Sequence, residues 1–357
     1  MDPSQFQSPR PEPTEAEIER PLDVVSAQKR SPRWNLILFG ATLATTTLAG
    51  SFDAGVDPFS SPWAFTAGFP FSLTLLAILL SHEFGHYFLA RWHGIPTSLP
   101  FFIPGPPILV GTFGAFIRMH GMPRSRRALF DVGAAGPWAG MVVAVPAVVV
   151  GLALSEVRPM PGALPIPDEM SVGITFGNSL LFEFLSRLVL GVDPDSVTVI
   201  LHPIALAGWF GLFVTFLNLL PVGQLDGGHV VYALCGKRHR TISRAVLVGV
   251  IGLGFYGWEG WLLWAFMLAF ILKVDHPDTV DANTPLDPFR RKAAWATIAM
   301  FVLTFMPIPL DFVTAEDFAG DRAPQEQRHP RERAPTSSSL QSVDVSIQEP
   351  AVVPTST

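Results

Sequence analysis

Seven stretches of the chain, at about 34–51, 67–91, 130–154, 200–220, 243–257, 258–273 and 292–309, are so nearly free of charge that water is a poor solvent for them. A helix needs about 20 apolar residues to cross the hydrocarbon core of a bilayer, and most of these stretches approach that length. The fifth and sixth are short and read as a tight hairpin around Gly257 and Gly260, so the count is six or seven. Composition agrees. The chain is 49% hydrophobic and 15% charged, where a soluble domain carries about 25% charged residues. The expected fold is an all-α polytopic membrane protein with the lipid bilayer as its solvent.

The flanks are different. Residues 1–31 and 311–357 are rich in Pro, Gln, Ser, Thr and charge, too polar to offset the entropy of ordering, and are expected to be disordered tails. That leaves 32–310 as the membrane domain, with a catalytic core at about 67–240. The stretch from Trp34 to Gly50 lies far from residue 1 and lacks a small-residue cleavage site, so it reads as a retained anchor. Lys29, Arg30 and Arg33 precede the first span, and Arg91, Arg118, Arg124, Arg126 and Arg127 follow the second. Lys237, Arg238, Arg240 and Arg244 follow the fourth. The positive-inside rule puts these loops, and the N-terminus, in the cytoplasm, with a bacterial inner membrane as the expected location. The loop 51–66 carries Asp53 and Asp57 without Lys or Arg and falls on the other side, as does the nearly balanced 155–199. Within the latter, Asn178–Leu190 is apolar with Glu183 and Arg187 four apart, which suits an interfacial helix. A net charge of −6 offers no basic face for nucleic acid. The single cysteine, Cys235, excludes a disulfide framework and a Cys-based zinc site.

Against this apolar background the second span contains His82-Glu83-Phe84-Gly85-His86. Ionisable side chains inside a span cost several kcal/mol unless paired or bound to a metal, so they are functional candidates by default. At about 3.6 residues per turn His82 and His86 share one helix face and form a bidentate pair suited to Zn2+. The bland alternative is two histidines hydrogen-bonded to neighbouring helices. A catalytic zinc also needs a third protein ligand and an open position for water. The clearest candidate is Asp226, in Asn218-Leu-Leu-Pro221-Val-Gly223-Gln-Leu225-Asp226-Gly227-Gly228-His229. Pro221 and Gly223 break the fourth span there, and a broken helix at membrane depth must line a cavity or be covered by protein. Asp226 as a plain helix cap is the competing reading. His229 could complete a closed site, but a closed site cannot activate water, so a structural role is preferred for it.

Together the two segments resemble the site-2 protease family of intramembrane zinc metalloproteases, which pairs His-Glu-x-x-His with an Asp from a later Leu-Asp-Gly motif. The resemblance implies that His82, His86 and Asp226 bind zinc, that Glu83 is general base and acid, and that Asn218 holds the substrate backbone or stabilises the oxyanion. It extends to Gly111-Thr-Phe-Gly-Ala-Phe-Ile-Arg118, similar to the family's membrane-embedded β-hairpin, and to Ala134-Ala-Gly-Pro-Trp-Ala-Gly140, similar to the start of its next helix. The layout is nearest to the branch with plant chloroplast members and their bacterial relatives, without room for the PDZ insert or the nucleotide-sensing domains of other members. The implied substrates are membrane-anchored proteins. A strand edge in the hairpin would hold an unwound substrate extended beside the metal. Gly133, Ala134, Ala135, Gly136, Ala139 and Gly140 are read as plain close packing of helices. His93, His120, His202 and His239 are assigned no role.

Two other readings compete with the protease. An ion-coupled transporter or channel using the buried His, Glu and Asp predicts paired halves with matching interrupted helices, and one interrupted segment is found. A catalytically dead scaffold would have lost a ligand or the glutamate, and all four residues are present.

Overall fold

The computed structural model describes residues 32–313 except 62, 109, 122, 160–172, 193–196, 272–273 and 275–283. The expected tails therefore lie outside the described residues, apart from Asp311–Val313. With Leu310 these form a strand, so positions 311–313 are not part of a disordered tail. Pairing with Gly173–Phe176 satisfies their backbone groups, which composition alone did not reveal.

The protein is mostly helical. Three helices are long and apolar enough to cross a membrane: α1 (Arg33–Asp53), α2 (Phe69–Trp92, led by a 3-10 turn from Ala64) and α3 (Arg126–Ala153). Each falls within a few residues of an expected span. Between α2 and α3 the strands β1 (Phe101–Pro104) and β2 (Thr112–Phe116) pair antiparallel, Phe101 opposite Phe116 and Pro104 opposite Thr112, with an irregularity between. After α3 come β3 (Glu156–Pro159), β4 (Gly173–Phe176), α4 (Leu180–Leu190) and β5 (Val197–Ile200). β3 pairs with β5, and β4 pairs with β6 (Leu310–Val313). The remaining helices are α5 (Pro203–Asn218), α6 (Asp226–Cys235), α7 (His239–Tyr256), α8 (Gly260–Phe266, continued by a π turn to Ile271) and α9 (Pro288–Thr304).

α3 is the hub, packed against α2, α5 and α6. Lipid supplies no hydrophobic drive between helices, so small residues that allow close approach do the work. A Cβ on Gly208 would meet Val148 Cγ2 at 2.7 Å, and one on Gly211 would meet Ile78 Cδ1 at 2.9 Å. Trp209, Leu212, Phe71, Leu75 and Val148 fill the centre, each almost fully buried. α1 carries buried hydroxyls that would be costly in hydrocarbon. Thr42, Thr46, Thr47 and Ser51 answer this by donating to carbonyls one turn back, and Thr46 also meets Ser72 Oγ of α2 at 2.6 Å.

α1 also grips the strand pair at both ends. Asn35 Nδ2 donates to the carbonyls of Leu99 and Pro100 at 3.0 and 2.9 Å, and Thr45 Oγ1 donates to the Gly111 carbonyl at 2.6 Å. Gly111 has φ +77°, and any side chain there would run into the α1 backbone at Thr45, so this contact requires glycine twice over. α4 begins at Ser179, whose hydroxyl accepts from Phe182 N–H, and ends at Gly191 with φ +66°. Its Glu183–Arg187 pair closes at 2.8 Å. Phe182 and Leu185 point inward while Leu180, Phe184 and Leu188 form an exposed apolar row.

Candidate metal centre

His82 and His86 are one turn apart on α2, and both rings turn into the α2–α3–α6 junction. Asp226 reaches the same point from a different part of the chain. α5 ends at Asn218, the chain runs through Leu219–Leu225 without helix, and α6 starts at Asp226. Gly227 and Gly228 make this re-entry possible, because a Cβ on either would strike the backbone carbonyls of Leu219 or Gly223. The freed carbonyl of Pro221 is met by Ser243 Oγ of α7 at 3.1 Å, as irregular backbone in a membrane requires. Arg126, expected as a cytoplasmic loop charge, donates from Nε and Nη2 to the Ala233 carbonyl at 2.9 and 2.6 Å, closing the C-terminal end of α6.

The three donor atoms converge. His82 Nε2 and His86 Nε2 are 3.0 Å apart, and Asp226 Oδ2 lies 3.2 Å from the first and 3.3 Å from the second. Among the described residues this is the one group of three or more His, Cys, Asp or Glu donors close enough to share an ion. His86 Nδ1 lies 2.8 Å from the Val132 carbonyl. A carbonyl can only accept, so Nδ1 carries the proton and the Nε2 lone pair points at the other two donors. Two imidazole nitrogens and a carboxylate oxygen that face each other, mostly buried, need a positive centre between them. Tetrahedral zinc with bonds of about 2.0–2.2 Å would separate its ligand atoms by about 3.3–3.5 Å. The observed separations of 3.0–3.3 Å lie at or a few tenths of an ångström below that range, so the donor set fits zinc in chemistry and comes close to it in spacing.

Glu83 is buried beside the cluster, close to the Ile117 backbone just past β2. Asn218 Nδ2 stands 3.3 Å from His82 Nε2. All five candidate residues are thus brought together. His229 stands outside the donor group, and its Cβ packs against Gly133.

The small residues of α3 need a correction. They are more than helix packing: Gly136 lies directly against the His86 ring, and a Cβ on Gly140 would meet His82 Cβ at 3.4 Å. The signal was present in the spacing of Gly133, Gly136 and Gly140, which places all three on one helix face. His93, assigned nothing, has its Nε2 2.9 Å from Asp131 Oδ2, and His239 is buried against Ser243.

Fold and site define an integral membrane protein with a buried His, His, Asp cluster beside a glutamate. Comparison with known proteins narrows this: the family model of Peptidase family M50 matches residues 70–256, and the chain belongs to that family. The resemblance to site-2 proteases is borne out. The chain is 32% identical over 242 residues to the "Probable zinc metalloprotease EGY1, chloroplastic" of Oryza sativa subsp. japonica, covering 67% of this chain and 40% of that relative. The Arabidopsis thaliana protein of the same description is 32% identical over 244 residues, 68% and 43% covered. The "Probable zinc metalloprotease EGY2, chloroplastic" of Arabidopsis thaliana is 27% identical over 250 residues, 70% and 43% covered. The chain spans about two-fifths of the length of these relatives. No solved structure matches.

Proposed function

We propose that the chain is an intramembrane zinc metalloendopeptidase that hydrolyses peptide bonds within or near the transmembrane segments of membrane-anchored proteins. The observation that carries this reading is the convergence of His82, His86 and Asp226 donors at 3.0–3.3 Å inside an apolar bundle. These three residues hold Zn2+, with Glu83 as general base and acid. Zinc held there supplies a Lewis acid for the scissile carbonyl and a water whose pKa falls to about 7. Glu83 takes the proton from the attacking water and returns it to the leaving amide nitrogen. Asn218, beside His82, holds the substrate backbone or donates to the oxyanion as it forms. The β1–β2 pair acts as a membrane-embedded hairpin whose outer edge adds an unwound substrate segment as a further strand. The packing of β2 against α2, the helix that carries Glu83, supports this.

In this reading the membrane domain begins at 32 and runs through β6 to Val313, with its catalytic core at about 67–240. α5, α7, α8 with its π turn, and α9 join α1, α2 and α3 to give six to seven crossings. α5, with 16 residues, rises about 24 Å, and the turns of 219–225 carry the chain on to α6. The positive-inside charges put the N-terminus in the cytoplasm, in a bacterial inner membrane, with the metal nearer that side because His82 lies in the second half of a helix running towards Arg91. A single cysteine at position 124 on a Cys235→Ser background is expected to react with impermeant reagent from the cytoplasmic face. Reaction from the outer face alone would reverse the orientation.

Elemental analysis of purified protein tests the metal reading. The wild type is expected to carry one zinc per chain and the His82→Ala/His86→Ala double variant none. Asp226→Asn is expected to bind zinc more weakly, because an amide oxygen is a poorer zinc ligand than a carboxylate. A wild type without stoichiometric metal, or a double variant with unchanged zinc, would overturn it.

A further inference from the structure

Asp131, on the first turns of α3, is a meeting point of charges that the proposed chemistry does not use. Arg290 of α9 grips it through two parallel hydrogen bonds, Nε to Oδ1 at 2.8 Å and Nη2 to Oδ2 at 2.7 Å. The third guanidinium nitrogen, Nη1, reaches Asp287 Oδ2 at 2.7 Å. Asp287 in turn caps α9 by accepting from the Arg290 backbone N–H at 3.0 Å. His93, at the end of α2, is the second partner of Asp131. The next residue of α3 is Val132, whose carbonyl fixes the tautomer and direction of His86. One turn of α3 is thus tied to α2 twice, through His86 and His93, and to α9 once. α9 lies outside the residues 70–256 that the family model matches.

We propose that Arg290 is a positioning residue of the metal centre: by clamping Asp131 it sets the turn of α3 whose Val132 carbonyl aims His86 at the ion. The inference rests on the metal reading above. An Arg fork on a carboxylate is geometrically demanding in a way that a point charge is not. The Asp131 side chain is 14% exposed. With Arg290 removed, Asp131 keeps His93 as its sole remaining partner among the described contacts, and a mostly buried carboxylate short of partners is costly. It relaxes by shifting towards His93, and that shift moves the backbone next to Val132.

α9 holds α3 at a second point, Trp138 Nε1 donating to Thr297 Oγ1 at 3.0 Å. Residues 131 and 138 on α3, and 290 and 297 on α9, are seven apart, so the same two helices meet twice along one seam. The second contact is an internal control, because breaking it weakens helix docking without touching Asp131.

The experiment measures zinc affinity in detergent by competition with a chromogenic chelator, for full-length wild type, Arg290→Ala, Arg290→Lys, Asp131→Asn and Thr297→Val. Arg290→Ala and Asp131→Asn are expected to weaken zinc binding by about 10–100-fold, the range for loss of partners that orient metal ligands. Arg290→Lys should recover part of the loss, and Thr297→Val should bind like wild type. In the protease assay at saturating zinc, KM for substrate should be unchanged in Arg290→Ala. A wild type that binds no zinc overturns the metal reading and this inference with it. A zinc-binding wild type with Arg290→Ala and Arg290→Lys within twofold of it overturns this inference alone, and so does Thr297→Val weakening zinc as much as Arg290→Ala.

Discussion

Replacing Glu83 by Gln is expected to lower proteolysis by at least about 10²–10⁴-fold, the usual contribution of one acid–base group, while zinc content and fold stay close to wild type. The loss should reach the upper end of that range because one carboxylate serves both proton transfers. Glu83 follows His82 on α2, so its side chain leaves the helix about 100° away from the ligand face. It stands beside the donor cluster without joining it. Glutamine is nearly isosteric and can fill the same buried position. What it cannot do is take up a proton. The informative assay reconstitutes wild type, Glu83→Gln and Asp226→Asn with a panel of single-span substrates and reads product and zinc together. Glu83→Gln cutting as fast as wild type would remove the mechanism even with zinc present. Zinc lost from Glu83→Gln would make Glu83 part of the metal-binding structure instead.

What the sequence disclosed follows from how local each signal is. α1, α2 and α3 were legible because a run of apolar residues declares a span without reference to any partner, and His82 and His86 because the i, i+4 spacing is a property of one helix. Asp226 was found by chemistry and by the break at Pro221 and Gly223 rather than by position, since 140 residues separate it from His86. The hidden features all depend on which helix meets which. Arg290 and Asp131 are 159 residues apart, and nothing in either neighbourhood announces the other. Arg126 looked like one more cytoplasmic positive charge and instead caps α6 at Ala233. The β3–β5 and β4–β6 pairs join short strands with no pronounced alternation, one of them within what composition marked as tail. Glycine on α3 showed that helices come close, but not that a ligand's ring is what comes close.

Gly136→Ala turns that last point into a measurement: one added methyl group is expected to remove zinc as thoroughly as His86→Ala does. In an exposed helix the same change would gain about 1 kcal/mol of helix propensity. Here the new Cβ would sit inside the contact distance of the His86 ring, overlapping Nε2 and lying 2.5 Å from Cδ2 and Cε1. The ring cannot swing aside without breaking its Nδ1 hydrogen bond to Val132. Nor can α3 retreat freely, because on its α6 side Gly133 packs so close to His229 that a Cβ there would meet His229 Cβ at 2.7 Å. The strain therefore falls on the one side chain whose direction zinc depends on. Two controls on the same scale separate this from general overpacking. At Gly140 a Cβ would meet His82 at 3.4 Å, ordinary van der Waals contact, and at Gly40 of α1 it would meet nothing within 4 Å. Gly140→Ala and Gly40→Ala should each keep one zinc per chain and a melting temperature at or above wild type. Full zinc occupancy in Gly136→Ala would mean that α3 does not hold His86 at the distance from which the whole site is built.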